Sequence, residues 1–275
     1  MTQSTSPPAF GLIIIGDEIL SGKRQDKHLP KVIELLAARG LSLSWCTVLG
    51  DDRQRLTDTL RHTFASSDVV FCCGGIGATP DDHTRQSAAA ALDEPLALHP
   101  EARELIMARV RQLAVEKGVT DDPDHPDTVH RLNMGVFPAS AQIVPNPYNK
   151  IPGFYCQGPG GARVFFVPGF PVMAHPMIEW ALDTHCAAWH RKVDWLERSV
   201  VVYGAMEASL TPLMERLEAE HPVKVFSLPS VDHPVHGRHI ELGVKGERDP
   251  VEGAYRALLS GLQPFSVQLG PEIVR

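Results

Sequence analysis

The stretch Gly74-Gly-Ile-Gly-Ala-Thr-Pro-Asp-Asp-His-Thr84 sets three glycines just ahead of two adjacent carboxylates. Glycines let backbone N–H groups approach an anion closely, because no Cβ intervenes. Asp81 and Asp82 would repel the same anion. A divalent cation carried with a phosphorylated ligand reconciles the two: amides contact phosphate, carboxylates contact metal. Mg²⁺ suits this task, since it prefers hard oxygen ligands and commonly joins one or two carboxylates to substrate phosphates. A second acidic stretch, Gly16-Asp-Glu-Ile-Leu-Ser-Gly22, follows another apolar run. If both stretches end neighbouring strands, Asp17, Glu18, Asp81 and Asp82 converge with the Gly74, Gly75 and Gly77 backbone. Asp17, Asp81 and Asp82 are then the expected metal ligands. A plainer account is that the glycines only turn the chain and that Asp81 or Asp82 caps the following helix.

The elements around these stretches predict how they are held. Phe10 to Ile15 is a continuous apolar run, as in a strand buried on both faces. Apolar residues from Leu29 to Leu36 recur at helical spacing, with Gly40 as the stop. Leu41 to Leu49 reads as a strand, Asp51 or Asp52 caps a helix carrying Leu56, Leu60 and Phe64, and Asp68 to Cys73 is a third strand. This β-α-β-α-β order predicts right-handed crossovers and a parallel sheet covered by helices. Ligands of such sheets bind at the C-terminal strand ends, where both acidic stretches fall. Further helices are predicted over 83–92, 101–117 and 171–190, and strands over 141–144, 154–157 and 162–167. Residues 121–127 read as a polar, proline-broken loop. The pattern changes near 193–198. A strand over 199–203, a helix over 207–220, strands over 223–228 and 239–245, a helix over 251–262 and a short edge strand over 264–269 predict a small α+β domain. The expected division is an arm over 1–9, an α/β domain over 10–194 and the small domain over 195–275.

Composition removes several classes. The 275 residues are 43% hydrophobic and 21% charged, as in globular proteins with a sizeable core. A formal net charge of −7 argues against a general nucleic-acid binder. The N-terminus lacks a basic n-region followed by an apolar h-region, and no apolar stretch reaches ~18 residues, so neither secretion nor a membrane span is expected. The five cysteines read as reduced, buried thiols of a cytoplasmic protein, with Cys72 and Cys73 on opposite faces of their strand. A dinucleotide fingerprint would lie between the first strand and first helix, where the chain has GDEILSG, and no GK[ST] marks a Walker loop. Among thirteen histidines, the His233, His236 and His239 group reads as a solvated link between strands. His28 and His83 flank the proposed site and could touch phosphate.

Taken in order, the motifs resemble the molybdopterin-binding domain family, with the fold of MoaB/Mog-type proteins and of the N-terminal part of CinA. The likeness runs through residues 16–22, Gly50-Asp-Asp52, residues 74–82, Asn146, Pro152-Gly153 and Val167-Pro-Gly-Phe-Pro171. It implies a three-layer α/β/α domain with a mostly parallel sheet and a pocket for a phosphorylated pterin or adenine nucleotide. It further implies Mg²⁺-dependent adenylyl transfer or nucleotide pyrophosphate hydrolysis, and assembly into a dimer or trimer. Carried over by position, Asp17 and Glu18 match the first acidic loop, Asp52 or Asp51 the second, and Asp82, with Asp81 beside it, the acid after the glycine turn. Asp52 and Asp82 are the expected catalytic acids. Gly16, Asp17, Glu18, Gly74, Gly75, Gly77, Thr79, Thr84, Pro168 and Gly169 are the expected ligand-binding residues. The chain departs from the family pattern at Lys27-His28, Ile76, Ala78, Asn149-Lys150-Ile151 and Met173. Those departures keep a second reading open, a module that binds molybdopterin or a nucleotide without turnover.

Overall fold

The computed structural model describes residues 7–118, 125–190 and 195–275. The first six residues of the expected arm, residues 121–124 of the polar loop and the expected 194/195 boundary lie at or outside the edges of these segments. The chain forms two compact units, 1–191 and 192–275.

The first unit runs β1 (Phe10–Ile15), α1 (Asp17–Leu20), α2 (His28–Ala37), β2 (Leu43–Leu49), α3 (Arg53–Phe64), β3 (Val69–Cys73) and α4 (Thr84–Leu92). It continues with β4 (Leu96–Leu98), α5 (Pro100–Lys117), α6 (Pro126–Leu132), β5 (Val136–Pro138), β6 (Gln142–Val144), β7 (Gly153–Gln157), β8 (Arg163–Val167) and α7 (Pro171–His185). Its six-stranded sheet has the order β2-β1-β3-β8-β7-β6. β1, β2, β3 and β8 are parallel, and β7 pairs antiparallel with both its neighbours. Alternation along the central strands builds two cores. Leu12, Ile14, Phe71, Cys73 and Phe165 pack with α2 and α7. Ile13, Ile15, Val70, Cys72 and Phe166 pack with α3 and α4 on the opposite face. Continuous apolar strands therefore make the middle layer of three.

β1 and β3 are direct neighbours, with Ile14 opposite Cys73, so the loops that follow them open side by side. β8 borders β3 on its other side, and the 168–170 turn joins the same end of the sheet. Short elements escaped the periodicity: α1 lies inside the expected acidic loop, β4 and β5 form a separate antiparallel pair, and α6 begins within the expected polar loop. Each is too short for hydrophobic spacing to register. The cysteines are free, but Cys46, on edge strand β2, is exposed rather than buried.

The second unit is β9 (Trp195–Tyr203), α8 (Glu207–Glu220), β10 (Lys224–His233), β11 (Gly237–Glu247), α9 (Arg248–Leu262) and β12 (Gln268–Val274). Its antiparallel sheet has the order β10-β11-β9-β12. Val200, Val202, Leu242 and Val244 pack under Leu210 and Leu217 of α8 and Leu258 and Leu262 of α9.

Candidate functional site

A cleft of about 730 Å³ lies at the C-terminal ends of β1, β3 and β8. Its walls combine the glycine turn, Gly74 to Thr79 with Asp81 and Asp82, the acidic side chains Glu18 and Asp51, and the basic pair Lys23 and Arg24. Asn149, Ile151, Pro168, Gly169, Phe170 and Met173 also line it. The two acidic stretches, far apart in sequence, thus meet in one cavity.

The glycine turn has the shape its composition requires. Gly75 has φ +67°, and a Cβ there would stand 2.2 Å from Thr84 Oγ1. A Cβ on Gly74, at φ +114°, would stand 2.4 Å from the Ile15 carbonyl. The chain can pass this close to β1 and α4 only without side chains. Thr84 braces the turn from beneath: its hydroxyl donates to the Gly74 carbonyl at 3.0 Å, and its amide donates to the Gly75 carbonyl at 3.0 Å. The Gly74 amide donates to the Val167 carbonyl. The amides of Gly75, Ile76, Gly77 and Ala78 make no hydrogen bond among the described residues. Consecutive unpaired N–H groups of this kind form an anion-binding concavity.

The carboxylates divide into those that face the cleft and those already committed. Asp17 is braced against Asp51: its amide donates to Asp51 Oδ2 at 3.0 Å, and Asp51's amide donates to Asp17 Oδ1 at 3.3 Å. Burial pushes the Asp51 carboxyl above its ordinary range, and the charges of Asp17, Asp81 and Glu18 add to the rise against the opposing bond from the Asp17 amide. Asp82 accepts from both the amide and the hydroxyl of Thr79.

Several sequence expectations change here. Asp52 does not line the cleft. It caps α3, accepting from the Arg55 amide at 2.7 Å, and Asp51 takes the cleft position instead. Thr84 is fully buried and supports the turn, so its hydroxyl is not offered to a ligand. Gly74 lines the cleft, but its amide is used within the fold. Asp17 lies outside the cleft walls and supports Asp51. Asp17, Asp81 and Asp82 do not form a cation cage: among the described residues no three His, Cys, Asp or Glu side chains group to hold a metal. Glu18, Asp51, Asp81 and Asp82 remain the hard-oxygen donors that could share a cation with a ligand. Gly16, Glu18, Gly75, Gly77, Thr79, Pro168 and Gly169 line the cleft.

His28 is buried behind the cleft wall, its Nε2 3.1 Å from the Gly169 carbonyl and its ring edge-on to His175 at 5.4 Å. Burial lowers its pKa. It shapes the 168–170 turn and does not line the cleft. His83 precedes α4 and lines a smaller cavity of about 400 Å³, together with Arg53, Arg85, Gln86 and Asn133. The sequence motifs do not point to Lys23, Arg24 or Arg85. Two basic residues straight after an acidic glycine loop were the available signal for the first pair. Arg85 looked like an ordinary residue of an alanine-rich helix.

Fold and cleft define a three-layer α/β domain whose site lies at the C-terminal ends of parallel strands. Residues 11–185 match the family described as "Probable molybdopterin binding domain", and the chain belongs to that family, close to its CinA-like members. A protein of Pyrobaculum calidifontis is 28% identical over 259 residues, 93% of this chain and 94% of its own. A CinA-like protein of Anaeromyxobacter dehalogenans is 33% identical over 172 residues, 62% of this chain and 40% of its own length. This chain therefore matches less than half of that CinA-like protein. The crystal structure of CinA from Thermoplasma acidophilum, described as of unknown function, is 26% identical with a TM-score of 0.53, covering 66% of this chain and 98% of that one. No described helix is long and apolar enough to cross a membrane.

Proposed function

We propose that the cleft binds a phosphorylated nucleotide or pterin together with Mg²⁺ and promotes attack at phosphorus, either hydrolysis of a pyrophosphate linkage or adenylyl transfer. The observation that carries this reading is the run of four unpaired amides, residues 75–78, sharing one cleft with Glu18, Asp51 and Asp81. Those amides would hold the phosphoryl oxygens as negative charge develops on them. Lys23 and Arg24 add positive charge on the same cavity. Mg²⁺, when bound, would neutralise phosphate charge, and Glu18 and Asp81 are the side chains that would hold it with ligand oxygens and water. Asp51, whose carboxyl is pushed up by burial and neighbouring acids, is suited to accept a proton from an attacking water. In hydrolysis that water forms a new P–O bond, the bridging P–O bond breaks, and two phosphomonoesters leave. Phe170, Ile151 and Met173 offer the ligand's ring system an apolar wall.

A second reading, binding without turnover, is favoured by the commitment of Asp82 to Thr79 and of Asp52 to the α3 cap. ADP-ribose, FAD and molybdopterin plus ATP, each with and without Mg²⁺, separate the two. Turnover that needs Mg²⁺ and falls in Asp51→Asn supports catalysis. Saturable binding without turnover supports the module, and an Asp82→Ala variant with full turnover removes Asp82 from the site. The proposal includes a cytoplasmic dimer or trimer, following the family resemblance; sedimentation velocity checks the assembly.

A further inference from the structure

Arg85 is 5% exposed, yet no carboxylate lies within ion-pair distance of it among the described residues. Its Nη2 donates to the Gly77 carbonyl at 2.7 Å, its Nη1 donates to the Asn133 carbonyl, and its Nε has no partner. Burial lowers its pKa, with the Asp82 charge partly opposing. Burying a cation without an anion in contact is costly, so a structural explanation must say what the charge does there.

The bonds supply one. The Gly77–Ala78 peptide is trans, so the Ala78 N–H points away from the Gly77 carbonyl. Arg85 borders the smaller cavity and not the larger, Gly77 borders the larger, and Ala78 borders both. Holding the Gly77 carbonyl toward Arg85 therefore directs the Ala78 N–H away from the guanidinium. The second fork of the guanidinium reaches Asn133, whose neighbour Met134 is part of the cleft wall. We propose that Arg85 is a positioning residue that locks the glycine turn through the Gly77 carbonyl and sets a buried positive charge behind it, an inference resting on the anion-binding reading above. A lysine could supply the charge but not the planar fork that spans two carbonyls. In a low-dielectric setting, that charge strengthens attraction for phosphate without touching it.

Arg85→Lys and Arg85→Gln test this, with Mg²⁺–pyrophosphate as the calorimetric probe and the Ala78 amide nitrogen resonance as the ligand-free probe. Both variants should melt as single folded species, bind the probe about tenfold more weakly or worse, and shift the Ala78 resonance while β-strand resonances of the sheet stay in place. Arg85→Lys should retain more affinity than Arg85→Gln, because it keeps the charge. A folded variant with native affinity overturns the proposal, as does an unmoved Ala78 resonance. If the native protein itself fails to bind Mg²⁺–pyrophosphate, the anion-binding reading falls, and the Ala78 resonance alone decides whether Arg85 sets the turn.

Discussion

The glycine turn of the first unit and the histidine hairpin of the second both carry residue types suited to chemistry, and the structure treats them oppositely. In the hairpin between β10 and β11, His233 Nδ1 accepts from the amides of Val235 and His236, His236 bonds the Tyr203 hydroxyl, and His239 bonds the Gly237 carbonyl. The three rings pack on one another with centroids 5.0–5.6 Å apart. One nitrogen of each ring is thus engaged within the second unit. In the glycine turn, by contrast, bonding is concentrated beneath the loop, through Thr84 and Arg85, and the amides of 75–78 are left without a partner among the described residues. Unfilled capacity around a cavity is a better mark of a binding site than a cluster of reactive side chains, because buried or enclosed polar groups otherwise find partners.

The contrast can be broken most severely at Gly75. Gly75→Ala should cost roughly 1–3 kcal/mol from its φ alone, with the Thr84 contact adding to it, and should abolish phosphate-ligand binding; thermal melts and calorimetry measure the two. Asp51→Asn should cut any Mg²⁺-dependent turnover by about a hundredfold or more while leaving the fold at least as stable. The sign follows from its raised carboxyl. The unfolded chain ionises first as pH rises, so the group's contribution is present at low pH and lost as pH climbs through the folded value. Asp51→Asn removes that loss, so its melting temperature should exceed the native one near neutral pH and fall into line with it below the Asp51 titration. Asp52→Ala sharpens the comparison between adjacent acids. It should lose about 1 kcal/mol of stability with the α3 cap and keep native kcat/KM; a turnover defect beyond that would return Asp52 to the site. His233→Ala should change stability by about 0.5 kcal/mol or less and leave ligand binding intact, and altered calorimetric affinity would show that the hairpin takes part.

Sequence carried the fold well where periodicity is strong. The runs at 10–15 and 69–73 announce strands buried on both sides, and beyond the short α1 the gap between them holds one amphipathic helix, one strand and another helix. It also carried the meeting of the two acidic loops, since parallel strands deliver their loops to one end. The division of labour between neighbours was less legible. Asp51 and Asp52 are identical in type, and only the start of α3 makes one a cap and leaves the other facing the cleft. Asp17 and Glu18 divide the same way at α1, with Asp17 bracing Asp51 and Glu18 facing inward. Thr84 and Arg85 follow the turn directly, yet both work from its buried side.

From the sequence alone follow the parallel sheet, the glycine turn at its mouth and the acidic character of the site, because local sterics, apolar periodicity and charge are properties of short segments. Which carboxylate faces the cleft, which threonine braces the turn and which arginine bonds it were decided only by tertiary structure. Hydrogen bonds between distant segments, such as the one from Arg85 to Asn133, commit some polar groups and leave others free, and no short segment holds that information.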